Sequence, residues 1–321
     1  MRDFDGRIAV LTGGGSGMGR ALARQLTAAG CHLAMCDVSA DDMRETKASC
    51  EEGAPPGTRV TTFVADVSDE TQVLAFRDFV AASLETPHIN LLFNNAGIGG
   101  GGSFVLDERA EWDATFAVCW GGVYACSRAF MPMLVASSEG HIVNTSSVNG
   151  FWATLGPGIP HTAYSAAKFA VKGFTEALIV DLAENAPHVH ASVVMPGHIG
   201  TSIVINSSRY FGRDPKELNE EQVEDARVRI ARRGFDVGGA SDDDIRQSLA
   251  FMAEMFRDGA PMTADQAATV ILDGVRNNEW RILVGADAHA LDQMVREAPG
   301  EAYSAAFRDR LQAQGVFRFS E

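Results

Sequence analysis

Residues 8–12 read Ile8-Ala9-Val10-Leu11-Thr12, and residues 13–19 continue as Gly13-Gly14-Gly15-Ser16-Gly17-Met18-Gly19. A short apolar run that ends in a glycine cluster reads as a buried strand feeding a tight turn. From Met18 to Ala29 the apolar residues Leu22, Ala23 and Leu26 recur at helical spacing, so the turn opens a helix. Glycines at such a junction let the backbone come close to a phosphate, and the first amides of the helix point at it. The next apolar run, His32 to Cys36, ends in Asp37, eighteen residues after Gly19. An acid at that distance is placed to accept the hydroxyls of a ribose, and its charge repels a 2′-phosphate. Ser16 puts no cation in the glycine turn to attract one, so the pattern favours NAD over NADP.

Further strands are expected at Val60 to Ala65, Ile89 to Phe93, Ile142 to Thr145, Ala191 to Met195 and Arg281 to Val284, with helical patterns between them. This alternation predicts an α/β fold with a doubly wound, mostly parallel seven-stranded sheet and helices on both faces. The strands run into polar or glycine-rich turns: Asp66-Val67, Asn94-Asn95-Ala96-Gly97, Ser146-Ser147, and Pro196-Gly197-His198-Ile199-Gly200-Thr201. Ligands collect at the carboxyl edge of such a sheet, which puts Asp66 and the Asn95 turn around an adenosine. The glycine run 99–102 reads as a flexible connection into a helix over 108–135.

Composition narrows the function classes. The chain has 321 residues, a formal net charge of −15 and five cysteines, Cys31, Cys36, Cys50, Cys119 and Cys126. The acidity argues against nucleic acid or an anionic membrane surface as a partner. An odd number of thiols without a CxxC pair suggests neither a disulfide framework nor a zinc site, and His188-Val189-His190 has no nearby acid or thiol to complete a metal site. No secretion signal and no apolar run long enough to cross a bilayer is evident, so a cytoplasmic protein is expected.

The chemistry is expected at Tyr164-Ser165-Ala166-Ala167-Lys168. On a helix starting after Pro160, with Thr162 as its N-cap, a four-residue interval sets the phenol and the ammonium on one face. A nearby cation lowers a tyrosine pKa, as does the positive end of a helix dipole. Ser147, seventeen residues before Tyr164, is placed to hold a carbonyl oxygen beside the phenol.

Taken together, TGGGSGMG at 12–19, Asp37, Asp66-Val67, NNAG at 94–97, NTSS at 144–147, YSAAK at 164–168 and PGHIGT at 196–201 resemble the short-chain dehydrogenase/reductase family over roughly residues 4–285. The resemblance implies catalysis by Ser147, Tyr164 and Lys168. It also implies cofactor contacts from Gly13, Ser16, Gly17, Met18, Gly19, Asp37, Asp66, Val67, Asn95, Ala96, Gly97, Tyr164, Lys168, Pro196, Gly197, Ile199 and Thr201. Cys119 stands where the family usually has asparagine, a residue associated with a proton relay to the lysine; a thiol makes weaker hydrogen bonds. The expected reaction is NAD-dependent interconversion of a secondary alcohol and a ketone, by a homodimer or homotetramer. An NADPH-dependent ketoacyl-thioester reductase and a catalytically silent NAD-binding sensor are the alternatives.

One catalytic domain is expected over 1–285, with a substrate lid at about 202–260. Ile203, Val204, Ile205, Tyr210, Phe251, Met252, Met255 and Phe256 suggest an apolar face closing over a bulky apolar substrate. The stretch between Ser147 and Tyr164, with Phe151, Trp152, Leu155, Pro157 and Pro160, is expected to line the substrate side. Arg227, Arg229, Arg232 and Arg233 read as a solvated face paired with nearby acids. Residues 286–321, with Tyr303, Phe307, Phe317 and Phe319, form an extension expected to pack on the domain or on a neighbouring subunit.

Overall fold

The computed structural model describes residues 1–155, 159–232 and 236–315, together with all their side chains except that of Arg232. Pro157, Arg233, Phe317 and Phe319, and the side chain of Arg232, therefore lie outside the described residues. In chain order the elements are β1 (Ile8–Thr12), α1 (Gly17–Ala28), β2 (His32–Asp37), α2 (Ala40–Gly53), β3 (Val60–Val64), α3 (Glu70–Ser83) and β4 (Leu91–Asn94). Then come α4 (Arg109–Phe116), α5 (Gly122–Val135), β5 (Gly140–Thr145), α6 (Thr162–Asn185), β6 (Val189–Pro196), β7 (Ile199–Gly200) and α7 (Ile203–Tyr210). The chain continues through α8 (Glu220–Arg232), α9 (Asp242–Asp258), β8 (Met262–Thr263), α10 (Ala264–Arg276), β9 (Arg281–Val284), α11 (Ala286–Glu297) and α12 (Ala305–Ala313).

The seven long strands form one sheet in the order β3-β2-β1-β4-β5-β6-β9, and every pairing is parallel. The order reverses between β1 and β4, which opens a crevice at the carboxyl ends of these two strands. Alternation of side chains builds a core on each face. Ile8, Val10, Ala34 and Cys36 join Phe76, Phe130 and Leu178 of α3, α5 and α6 on one side. Ala9, Leu11, Leu33 and Met35 join Leu22, Leu26 and Ile271 of α1 and α10 on the other. All five cysteines are buried free thiols.

Several expectations are revised. Two short strands, β7 and β8, pair with each other and close the neck of the excursion that carries α7, α8 and α9. The predicted helix over 108–135 is α4 and α5 joined by a π-helical turn, Ala117–Gly121. Contrary to the reading of the sequence, this helical stretch Arg109–Val135 is long and apolar enough to cross a bilayer by length and composition. Its apolar character is explained by packing: Val123, Cys126, Phe130 and Leu134 are buried against the sheet.

Thr162 is not the N-cap of α6. His161 takes that position without a side-chain cap, and Thr162 is the first helical residue. The glycine run explains why. The main-chain amides of Thr162 and Ala163 donate to the carbonyls of Gly102 and Gly101, each at 3.0 Å. A side chain on Gly101 would collide with Ala163, so glycine is needed for this close approach. The run is thus a docked strap on the helix that carries Tyr164, not a loose connection.

Candidate active site

The crevice at the switch point is a groove of about 430 Å³. Its floor is the glycine turn. A Cβ on Gly19 would strike the carbonyl of Gly13, so the turn packs too tightly for any side chain there. Ser16 precedes α1 in extended conformation and makes no side-chain cap, leaving the first amides of α1 without a side-chain acceptor at the groove. A glycine cradle closed by an uncapped helix N-terminus fits a diphosphate.

Of the residues singled out from the sequence, Gly13, Ser16, Gly17, Met18, Gly19, Asp37, Asp66, Val67, Asn95, Ala96, Gly97 and Thr201 all line this groove. Asp37 is pinned there: Gly15 N donates to its Oδ2 at 2.9 Å and Ser39 N to its Oδ1 at 3.1 Å. Burial raises its pKa, and the two backbone donors work in the opposite direction. Asp66 accepts from the amide and hydroxyl of Ser68 on Oδ1 and from the Tyr210 hydroxyl on Oδ2. The Asn95 amide braces the turn itself, donating to the carbonyls of Thr12 and Gly13.

Pro196, Gly197 and Ile199 are set apart from the lining of the groove. Pro196 ends β6 opposite Val284, Gly197 abuts the carboxylate of Asp287, and Ile199 is buried in the core.

Past Gly97 the groove meets the second set of candidates. The Ser147 hydroxyl lies near enough to Tyr164 to pull the phenol's pKa down. The Lys168 ammonium lies 5.3 Å from the centre of the Tyr164 ring and donates to the carbonyl of Thr145 at 2.8 Å. A Cβ built on Gly97 would be 3.5 Å from that ammonium and 3.7 Å from the Cys119 thiol, so both flank the same glycine. Cys119 is fully buried and donates to the carbonyl of Ile98 at 3.1 Å. It reaches this place on the π-helical turn, a bulge that re-aims one turn of an otherwise regular helix. Ser147 after β5, Cys119 on the π-helical turn, and Tyr164 and Lys168 together on α6 are therefore brought together from three parts of the chain.

The electrostatics differ from the expectation drawn from spacing. Burial pushes the Tyr164 phenol up from its ordinary value, and the Ser147 hydroxyl pulls it down. Burial also lowers the pKa of Lys168, against a smaller raising effect of Cys119. The expected lowering of the phenol by the ammonium thus does not outweigh desolvation. Ser146, by contrast, spends its hydroxyl on the main-chain carbonyl of Lys168 at 2.7 Å.

Some neighbours went unread in the sequence. The His161 ring lies 4.6 Å from the Tyr164 ring, centre to centre, and burial lowers its pKa to about 4. Asn206 and Arg209 of α7 also line the groove, beside Ile203 and Tyr210, which the sequence assigned to the lid; the spacing of 203, 206 and 210 was the available signal. Of the apolar lid face, Phe251, Met252 and Met255 are exposed, while Ile203 and Tyr210 face the groove. Phe256 stacks on His198 at 4.4 Å. This excursion does not present one apolar face, because α7 turns toward the groove whereas Phe251, Met252 and Met255 of α9 turn toward solvent. Arg227 is structural, bonding the carbonyls of Val237 and Ala240 and the carboxylate of Asp242.

The short chain dehydrogenase family model matches residues 7–210. SadH of Mycobacterium tuberculosis, named as an oxidoreductase, is 33% identical over 320 residues, 99% of this chain and 98% of that one. Levodione reductase of Leifsonia aquatica is 36% identical over 69% of this chain and 80% of its own. A short-chain dehydrogenase/reductase from Burkholderia phymatum, solved in complex with NAD, superimposes with a TM-score of 0.72 at 30% identity, covering 94% of this chain and 96% of that one. With a parallel sheet that reverses at a glycine cradle, and a sequence match over most of its length, the chain belongs to the short-chain dehydrogenase family and is an NAD(P)-dependent oxidoreductase.

Proposed function

We propose that the protein interconverts a secondary alcohol and a ketone with NAD as its cofactor. The observation that carries this reading is the convergence of Ser147, Tyr164 and Lys168 beside Gly97, at the end of the dinucleotide groove. Bound nicotinamide supplies or accepts the hydride at the substrate carbon. Ser147 holds the substrate oxygen through its hydroxyl. Tyr164 takes the proton from the alcohol in oxidation and returns it to the ketone oxygen in reduction. Lys168 keeps positive charge next to the phenol and favours its ionised form. Cys119 fills the position beside Lys168 with a thiol whose hydrogen is committed to Ile98.

The preference for NAD rests on Asp37. A carboxylate held by two main-chain amides cannot swing aside for a 2′-phosphate. The nearby Arg20 is already engaged by the Gly15 carbonyl, Thr46 and Glu45. An apolar substrate is supported by Phe104, Val105 and Leu106, which stand exposed just after the glycine strap that docks on α6. Levodione reductase, by its name, reduces a carbonyl compound, in keeping with a ketone here. We take residues 1–285 as the catalytic unit and 286–321 as an appended segment, in a cytoplasmic homodimer or homotetramer. A net charge of −15 supports a small-molecule partner over nucleic acid or membrane.

The test is a panel of secondary alcohols offered with NAD and with NADP, followed by absorbance of the reduced nicotinamide. Reduction of NAD by an apolar alcohol, with NADP much poorer, is the expected result. Tight NAD binding with no turnover on any alcohol or ketone would point instead to a silent sensor.

A further inference from the structure

The groove has a charge imbalance. Asp37, Asp42 and Asp66 line it, and among its described lining residues the one cation is Arg209. Three carboxylates are a poor setting for a diphosphate, which brings further negative charge, even with an uncapped helix N-terminus beneath it. Arg209 is not part of the sheet or of the glycine turn. It belongs to α7, which follows Thr201 and lies across the groove.

That helix is fastened on one face. Asn206 Nδ2 donates to the Ser16 hydroxyl at 2.9 Å, the Ser207 hydroxyl accepts from Gly99 N at 2.8 Å, and the Tyr210 hydroxyl donates to Asp66 Oδ2 at 3.1 Å. Residues 203, 206, 207 and 210 share one side of a helix, so a single face reaches the turns after β1, β3 and β4. Beyond these bonds α7 rests on α9 and, through the Tyr210 ring, on the core. Of its eight residues only Ser207 is buried, and Asn206 and Arg209 also line a second cavity of about 320 Å³ on its other side. A short helix standing as a partition between two cavities, held in part by hydrogen bonds, has the features of an element that opens locally.

We propose that α7 is a working wall of the dinucleotide site: Arg209 meets the diphosphate, and Asn206 and Tyr210 clasp the helix over it. This rests on the dinucleotide reading above. The Arg209 Nε is held by Asp214 at 2.8 Å, which aims the guanidinium and leaves its Nη groups to serve a phosphate. Asp66 has lone pairs enough to keep Tyr210 while accepting from an adenine amine. Release of the dinucleotide then requires α7 to lift, breaking the bonds to Ser16 and Asp66.

The experiment uses the full chain with NADH, ADP-ribose and adenosine as probes, reading equilibrium affinity and, for NADH, the stopped-flow dissociation rate. Arg209→Met is expected to weaken NADH and ADP-ribose about tenfold, equivalent to about 1.4 kcal/mol. Adenosine, which has no phosphate, should bind the variant as it binds the unaltered chain, and Arg209→Lys should recover most of the loss. Asn206→Ala and Tyr210→Phe are each expected to speed NADH dissociation severalfold, and the double variant more. Loss of adenosine binding in step with ADP-ribose, or affinities and dissociation rates within twofold across all variants, would overturn the proposal. An unaltered chain that binds neither NADH nor ADP-ribose would instead sink the dinucleotide reading itself.

Discussion

The Lys168 ammonium stands 5.3 Å from the centre of the Tyr164 ring, yet its hydrogen bond runs to the carbonyl of Thr145. The lysine is therefore held over the phenol ring from a position fixed by β5, with its hydrogen bond spent elsewhere. Burial opposes ionisation of both groups, so each needs the other and their shared surroundings to hold charge. Tyr164→Phe is expected to remove nearly all turnover while NADH affinity stays close to that of the unaltered chain. Unchanged turnover in that variant would exclude the tyrosine as the proton carrier.

The same balance sets a pH dependence. In the proposed mechanism Tyr164 must lose its proton before it can take one from the alcohol, and burial moves its pKa upward. The rate of alcohol oxidation at limiting substrate should thus rise with pH through the neutral range, and ketone reduction should fall at high pH. Lys168→Met removes the favourable charge, so its rising limb should shift to higher pH. A limb that does not move would show that the ammonium contributes position without electrostatics.

In the proposed reading, Asp37 sets the choice of cofactor. Asp37→Ala removes the acceptor for the ribose hydroxyls and the repulsion toward a 2′-phosphate, so the NAD/NADP ratio of kcat/KM is expected to fall by about tenfold to a hundredfold, about 1.4 to 2.8 kcal/mol. Kinetics with the two cofactors at matched substrate decide it. An unaltered chain that already prefers NADP would defeat the assignment outright.

Much of this was legible before any coordinates. Glycine turn, strand-end acids and the Tyr164–Lys168 spacing are local patterns, because each depends on residues within one turn or one strand end. What resisted reading was set by tertiary contact. The glycine run 99–102 gave no sign that it would cap α6, since its partners Thr162 and Ala163 lie some sixty residues away. Desolvation of Tyr164 depends on everything packed around it. The side of the fold that α7 would cover was likewise unreadable, because a polar helical face at Asn206, Ser207 and Tyr210 is the same pattern whether it meets solvent or a groove.

Cys119 offers a test of how much the π-helical turn does by itself. Its thiol bonds a main-chain carbonyl and sits beside Lys168. Cys119→Asn restores a stronger hydrogen-bonding side chain at that point and is expected to keep or raise the turnover rate. A complete loss, with the fold intact by circular dichroism, would assign the thiol a task of its own.

Two buried histidines predict an acid limit to stability. Burial lowers His161 to about 4 and His141 to about 3, so both are neutral in the folded chain at pH 7. In the unfolded chain each takes up a proton near pH 6.5. The folded state is therefore favoured fully above about pH 6.5, and this contribution is lost as pH falls from there toward about 4 for His161 and about 3 for His141. Thermal melts across that window should show Tm falling. His161→Gln, which cannot titrate, should flatten part of the slope.

The last prediction concerns the wall opposite the groove. Trp152, five residues beyond Ser147, is almost fully buried, and its indole donates to the carbonyl of Ala302 at 2.8 Å. It packs with Leu291, Met294, Phe307 and Leu311 in a separate core that exists only because α11 and α12 fold back onto the segment leading from Ser147. Tyr303 adds a hydroxyl that accepts from the amide of Ala153 at 3.1 Å. Truncating Trp152 to alanine should cost about 3 to 5 kcal/mol by loss of packing, read as a lower Tm. Tyr303→Phe is the more informative change, since the ring stays while one hydrogen bond to the 148–155 segment goes. It should raise the KM for the alcohol and leave NADH affinity unmoved, because the segment follows Ser147 and does not line the dinucleotide groove, and the proposed reading puts it on the substrate side. A matching loss of NADH affinity would mean that the C-terminal segment supports the whole site rather than its substrate wall.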